Sequence, residues 1–162
     1  MTIKYLLTST LVLLSCVSGK CQQLTHPYVG TIKEEKTAGI SIPHLDSLYL
    51  SAIHIDSTKA VFKSKEESDS LMHCYTRFLR EFGRYLRQND FNWEQTTRCW
   101  NRIYFNAGGA VDYYLFDFKT PISDEKMTRF KALFTSFAET HKIGITAKVN
   151  FAQCSPVTYT DK

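Results

Sequence analysis

The feature that most constrains the fold is a long amphipathic segment between Ser64 and Asn89. Ser64 and Glu67 have the spacing of a capping box, in which each side chain accepts a hydrogen bond from the other residue's backbone N–H. The apolar residues that follow recur at helical spacing: Leu71, Tyr75, Phe78, Phe82 and Tyr85. We therefore predict a helix from Lys65 to Gln88, and its aromatic stripe has to pack against another layer of structure.

A β-hairpin is predicted after this helix. Residues alternate from Arg102 to Asn106, Ala107-Gly108-Gly109 reverses the chain, and the stretch from Val111 to Lys119 is rich in Tyr and Phe, which suit a pleated surface. Ser123 then caps a second long helix. Its apolar stripe consists of Met127, Phe130, Phe134, Phe137, Ala138 and His141.

The remaining elements complete the predicted fold class. Gly144 is placed to end the second long helix, and the alternation from Ile145 to Phe151 predicts a final strand. Nearer the N-terminus, the apolar residues from Ser41 to Ile53 fall at helical spacing, although Leu48 through Ile55 also fits a strand. The order is α-α-β-β-α-β. We predict an α+β fold in a single domain over residues 41–162, with a small antiparallel sheet, formed by the hairpin and the C-terminal strand, packed against two or three helices.

The N-terminal residues have the pattern of an export signal. Lys4 precedes an apolar run from Tyr5 to Leu14 that breaks into small residues. This run is half of the roughly twenty residues that a membrane-spanning helix needs. A signal peptide over residues 1–19 is therefore predicted, and the expected location is the periplasm or the membrane surface.

Two cleavage sites are compatible with this signal. Leu13-Leu14-Ser15-Cys16 resembles a bacterial lipobox, in which Cys16 would carry the lipid, whereas Val17-Ser18-Gly19 fits ordinary cleavage. A lipid on Cys16 would be the expected route of membrane attachment. Residues 20–40 are polar and charged, and they are predicted to form a flexible arm or tether ahead of the domain.

The cysteines support two competing hypotheses. Because an exported chain meets an oxidising compartment, Cys99 and Cys154 are candidates for a disulfide, and Cys74 is expected to be buried beside its helical stripe. Cys154 and His141 are also the one Cys/His pair considered for a thiol enzyme, but no orienting acid stands at a recognisable spacing. The sequence lacks C-x-x-C and H-x-x-x-H spacings, so no metal site and no cofactor is predicted.

The hairpin carries more aromatic residues than one small sheet face buries. Successive strand residues point to opposite faces, so some of these rings have to line the second face of the sheet. The tentative binding face consists of Tyr104, Tyr113, Tyr114, Phe116 and Phe118. Three alternatives for what packs on this face are open: the N-terminal arm, a second copy of the chain, or a partner's peptide.

Charge argues against one class of partner. The chain has 20 Lys and Arg against 16 Asp and Glu, and the resulting formal charge of +4 is too small and too evenly spread to indicate a nucleic-acid binder. Arg77, Arg80, Arg84 and Arg87 recur almost opposite the apolar stripe of the first long helix, where they are predicted to form its solvated face. An anionic partner such as lipid headgroups is the alternative.

The stretch from Leu71 to Tyr159 resembles the C-terminal domain of TonB-type periplasmic proteins in its order of helix, hairpin, helix and strand. The local match runs from Ile103 to Asp112, with a strand, a glycine turn and a valine similar to those that open the hairpin there. Gly108 stands where that family usually has an acidic or amide residue. The resemblance implies a periplasmic interaction domain that pairs a sheet edge with a partner's peptide. The chain shows no retained transmembrane helix and no Pro-rich spacer, so energy transduction is not expected.

These observations lead to one main hypothesis and two others. The main hypothesis is an exported, non-enzymatic protein-interaction domain of the bacterial cell envelope, whose partner is an envelope protein or peptide. The alternative is a small thiol-dependent or hydrolytic periplasmic enzyme, which requires the side chains of Cys154 and His141 within hydrogen-bond reach. A purely structural envelope lipoprotein is the third.

Overall fold

The computed structural model describes residues 27–161 and has the α+β architecture that the sequence predicts. Besides two short 3-10 turns, its elements in chain order are β1 (Tyr28–Thr31), α1 (Ile42–Leu48), β2 (Leu50–Ser51), α2 (Lys65–Gln88), β3 (Thr97–Phe105), β4 (Val111–Phe118), α3 (Asp124–Thr140) and β5 (Phe151–Tyr159). The strands form one five-stranded sheet in the order β1-β4-β3-β5-β2.

The sheet is mixed, whereas the sequence predicted an antiparallel one. β3 pairs antiparallel with both of its neighbours, β4 and β5, and this part corresponds to the predicted hairpin and C-terminal strand. β1 and β2 add short parallel strands next to β4 and β5. They are four and two residues long, which is too short for alternation to be recognised in a sequence. The predicted order α-α-β-β-α-β contains neither edge strand, although β2 lies within the stretch from Leu48 to Ile55 that also fits a strand.

The final strand lies later in the chain than predicted. The prediction covered Ile145 to Phe151, but β5 runs from Phe151 to Tyr159. Residues 143–147 instead form a loop held against the hairpin turn, where the Ile143 N–H donates to the Gly109 carbonyl oxygen at 3.0 Å. Gly109 has a φ of +81°, and a Cβ there would lie 2.6 Å from the Ile145 carbonyl oxygen. The alternation in this loop therefore reflects packing on the turn.

Both long helices begin where their capping residues predict. The Glu67 N–H donates to the Ser64 hydroxyl oxygen at 3.1 Å, and the Ser64 N–H donates to the Glu67 carboxylate at 3.0 Å, so the capping box is complete. At the start of α3 the Lys126 N–H donates to the Ser123 hydroxyl oxygen at 3.2 Å. The predicted bounds of α2 are confirmed.

The two faces of the sheet pack against different parts of the chain. The helix face, which α2 and α3 cover, carries Ile103 and Tyr114 in a large aromatic core. The arm face is the opposite one, and it carries Tyr104 and Leu115 against residues 28–49. Within the predicted arm, residues 28–31 form β1 and pair with β4, so this part of it is docked on the sheet.

Phe82 lies at the centre of the contact between the two long helices. Its ring is fully buried, with centroids 4.8 Å from Phe134 and 5.2 Å from Phe137. We expect Phe82→Ala to lower the free energy of unfolding by about 3–5 kcal/mol, because the change removes buried apolar surface and leaves a cavity. Urea unfolding followed by circular dichroism measures this loss. Phe82→Leu should lower the free energy of unfolding by less than Phe82→Ala does. Equal decreases in the two variants would contradict the packing described.

Candidate functional site

The outer edge of β5 is covered along only part of its length. β2 pairs with the first two residues of the strand, Phe151 and Ala152. Among the strands of residues 27–161, no other one pairs with that edge. The edge from Gln153 to Tyr159 therefore presents a strand backbone without a neighbouring strand.

Backbone alternation determines which groups face this open edge. The Ala152 carbonyl oxygen accepts a hydrogen bond from the Ala52 N–H at 2.8 Å, on the outer side of β5. Even-numbered residues of the strand therefore direct their backbone groups outward, and odd-numbered residues direct theirs toward β3. The register against β3 is unbroken to the end of the strand, so this parity extends to Cys154, Pro156 and Thr158.

Pro156 removes one hydrogen-bond donor from the edge. Proline has no N–H, and it is tolerated in a strand where that group would face outward. The N–H groups of Cys154 and Thr158 remain, together with three outward carbonyls, of which the Cys154 carbonyl also accepts a bond from the Gln153 side-chain amide at 3.1 Å. A missing donor makes an edge less prone to indiscriminate pairing. The remaining N–H and carbonyl groups can still form hydrogen bonds to a bound strand.

α2 forms the second wall of a groove along this edge. The groove has a volume of about 590 Å³, and its apolar surface includes Leu79 and Val157. The Tyr75 hydroxyl lies 2.7 Å from the Ser155 hydroxyl oxygen and joins the two walls. Gly83 also lines the groove, and a Cβ at that position would have no other side chain closer than 3.9 Å. The helix surface at Gly83 therefore leaves the groove open.

Three arginines of α2 make the groove basic: Arg80, Arg84 and Arg87. All three are exposed, and within residues 27–161 none of them forms an ion pair. Among the described residues, those that line the groove include neither Asp nor Glu. Their helical spacing predicts that these arginines form the solvated face of the helix, and solvent does reach them. The helical spacing of the arginines is local, so it does not indicate that β5 lies beside them in the fold.

The far end of the open edge contacts the segment that follows α2. The indole of Trp93 stacks on the Tyr159 ring, with centroids 4.5 Å apart and an interplanar angle of 14°. The Asp161 carboxylate accepts hydrogen bonds from the backbone N–H groups of Trp93 and Glu94, each at 2.7 Å. Glu94 has a φ of +65°, a left-handed conformation that Asp161 holds in place. These contacts join the end of β5 to the segment that follows α2.

The five hairpin aromatics that were predicted to form a binding face are packed within the protein. Tyr104, Tyr114 and Phe116 are fully buried, and Tyr113 and Phe118 are half-buried. Tyr113 packs against rings of β1 and of the end of α1, while Phe118 packs against a ring of α3. Of the three candidates for covering the second face of the sheet, the chain's own N-terminal segment is the one that packs on the arm face. The tentative binding face is therefore corrected, because the chain itself covers these five residues.

The expected disulfide between Cys99 and Cys154 is not formed. In the β3–β5 register Cys99 lies opposite Val157, whereas Cys154 lies opposite Arg102. The two cysteines are thus three positions apart along the strand pair and point to opposite faces of the sheet. Among the described cysteines, Cys74, Cys99 and Cys154 are all free. Cys74 is buried, as predicted.

His141 and Cys154 also lie on opposite sides of the sheet. The His141 ring stacks on Phe137 in the helix layer, with centroids 4.2 Å apart. Cys154 opens on the arm face into a cleft of about 310 Å³ that contains the Arg102–Asp46 ion pair and no histidine. Burial raises the pKa of the Cys154 thiol, which opposes formation of the reactive thiolate. The structure therefore does not assemble the Cys/His pair that the enzyme hypothesis required.

Several predictions from the N-terminus lie outside the described residues: the signal peptide, both cleavage sites and Cys16. In the described part of the chain, no helix combines the length and the apolar character needed to cross a bilayer. Comparisons of the chain with protein-family models, with curated proteins and with solved structures found no significant match in any of the three. Function is therefore inferred from the geometry of the groove.

The placement of the thiols can be checked by alkylation without reductant. Burial raises the pKa of the Cys99 thiol to about 12, so we expect this cysteine to react at least about tenfold more slowly with iodoacetamide in the native protein than in denaturant. Peptide mapping by mass spectrometry should recover Cys99 and Cys154 as separate thiols. A linked Cys99–Cys154 peptide would contradict the register of β5.

Proposed function

We propose that the protein is a protein-interaction domain that binds an extended segment of a partner protein along the open edge of β5. The observation that carries this proposal is the edge from Gln153 to Tyr159, which pairs with no strand of residues 27–161 and lies in a groove beside α2. In this recognition mode, backbone hydrogen bonds give affinity and contacts to alternate side chains give specificity. The resemblance to TonB-type C-terminal domains implies the same mode.

The edge offers a defined set of bonds to such a segment. Cys154 and Thr158 each offer an outward N–H and an outward carbonyl, while Pro156 offers a carbonyl alone. A strand placed there directs alternate side chains toward α2 and the apolar surface of the groove. The stacked Trp93 and Tyr159 rings hold the edge in its binding conformation, which lowers the entropic cost of association.

We propose the cell envelope as the place of action. Support comes from the export pattern of Lys4 and the apolar run from Tyr5 to Leu14. The main alternative, a thiol-dependent or hydrolytic enzyme, loses its specific support because Cys154 and His141 lie on opposite sides of the sheet. Binding without catalysis is therefore the function that the geometry favours.

The outward N–H of Thr158 allows a direct test. Peptides would be selected from a random display library on the full protein, and their affinities measured by fluorescence anisotropy. We expect Thr158→Pro to weaken binding by about tenfold or more, because it removes an edge donor and leaves the ladder to β3 intact. Thr158→Val retains the N–H and is the matched control, which should bind within about twofold of the original.

A second variant tests the groove itself. Gly83→Met should place a side chain in the groove and prevent binding, whereas Gly83→Ala should retain binding and stabilise α2 by about 0.5–1 kcal/mol. Urea unfolding of all four variants confirms that each is folded. Selected peptides whose affinity is unchanged by Thr158→Pro and by Gly83→Met would contradict the proposal, as would a library that yields no binding peptide.

A further inference from the structure

We infer that the partner segment is acidic and carries its carboxylates at alternate positions of an extended chain. This inference rests on the proposed function and specifies the chemistry of the segment that the groove selects. The observation behind it is that Arg80, Arg84 and Arg87 lie along a groove in which no residue of the described lining is acidic.

The three guanidinium groups are available to a ligand. Ion pairs occupy other basic residues, such as Arg102 with Asp46 and Lys131 with Glu34. In the part of the chain that the structure describes, the groove arginines have no such partner. Asp161 follows the last groove residue, but its carboxylate oxygens accept the backbone N–H bonds of the turn after α2. A planar guanidinium binds a carboxylate through two parallel hydrogen bonds, which makes a carboxylate the matching ligand group.

Two contacts establish the relative direction of the groove walls. Tyr75, in the middle of α2, bonds Ser155 near the start of the open edge. Trp93, which follows α2, stacks on Tyr159 at the far end of that edge. α2 and β5 therefore run in the same direction, and the arginines that lie between Tyr75 and Trp93 in sequence follow the second half of β5.

The spacing of the arginines matches an extended ligand. Successive positions from Arg80 to Arg84 to Arg87 rise by about 6 Å and about 4.5 Å along the helix axis. Side chains on one face of a strand recur about every 6.6 Å. A peptide paired with β5 would direct the residues beside Val157 and Tyr159 toward α2. Carboxylates at those alternate positions lie within the reach of long, flexible arginine side chains.

Charge complementarity also separates this segment from a second copy of the chain. Pairing two copies through their β5 edges would bring two sets of groove arginines toward each other, and like charges across an interface oppose association. Pro156 leaves the backbone edge short of one donor, so side-chain attraction has to contribute to the selection of a partner. An acidic segment is not repelled by the groove arginines, and it supplies the side-chain attraction.

Two synthetic peptides test the inference on the full protein. One alternates Glu with Val, the other has Gln in place of every Glu, and both carry blocked ends and a fluorescent label for anisotropy. We expect the Glu peptide to bind about tenfold more tightly than the Gln peptide at about 0.05 M NaCl. The preference should fall to about twofold or less at about 0.5 M NaCl, since salt screens exposed ion pairs.

Matched arginine variants locate the effect. Arg84→Gln should weaken the affinity for the Glu peptide by about two- to fivefold and leave the affinity for the Gln peptide unchanged. The double variant that also carries Arg87→Gln should lose most of the preference for the Glu peptide. Arg77→Gln is the control, because Arg77 lies on the same helix but does not line the groove. It should change neither affinity.

The outcomes separate this inference from the proposed function. Equal binding of the two peptides, with both lost in Thr158→Pro, would overturn the acidic preference and leave edge binding intact. If neither peptide binds, the inference of an acidic segment is overturned. Binding at the β5 edge is then still tested by the peptides selected from the display library. Association with phosphatidylglycerol vesicles that Arg84→Gln abolishes, without binding of the Glu peptide, would replace the acidic segment by a membrane surface.

Discussion

The structure depends on the register of one strand, β5, against the central strand β3. Nine consecutive residue pairs run from Phe151 to Tyr159, and both of these end residues turn their rings into the helix-face core. A slip of one position would exchange the two faces of β5, moving both rings out of that core. The same register directs the missing N–H of Pro156 to the outside and separates Cys99 from Cys154. Core packing, thiol placement and the open edge thus follow from one alignment.

Local signals in the sequence predict the helices and the hairpin because their determinants lie within a few residues. The capping box at Ser64 and Glu67 marks the start of α2, and the glycine turn separates β3 from β4. The edge strand β1 was missed, and β2 was covered only by the alternative strand from Leu48 to Ile55, since each is short and exists only through pairing with a distant strand. The last strand was misplaced because a loop packed on the turn at Gly109 imitates strand alternation.

Side-chain chemistry at the site was harder to predict for the same reason. Aromatic residues on the hairpin suggested a binding face, but the segment from β1 to α1 covers one side of the sheet and the long helices cover the other. The basic row of α2 was recognised as solvated, although its role in a groove required the position of β5. The groove combines an open backbone edge with charge on the adjacent helix, and in the proposed binding the backbone bonds give affinity and the arginines give selectivity. Gly83 keeps the space between the two walls open.

The proposed binding depends on which backbone groups of β5 face outward, and amide hydrogen exchange measured by NMR tests this in the free protein. Exchange should alternate along the strand, with the amides of Cys154 and Thr158 exchanging much faster than those of Ser155 and Val157, which are bonded to β3. Uniform protection along the strand, or the opposite alternation, would contradict the register and with it the open edge.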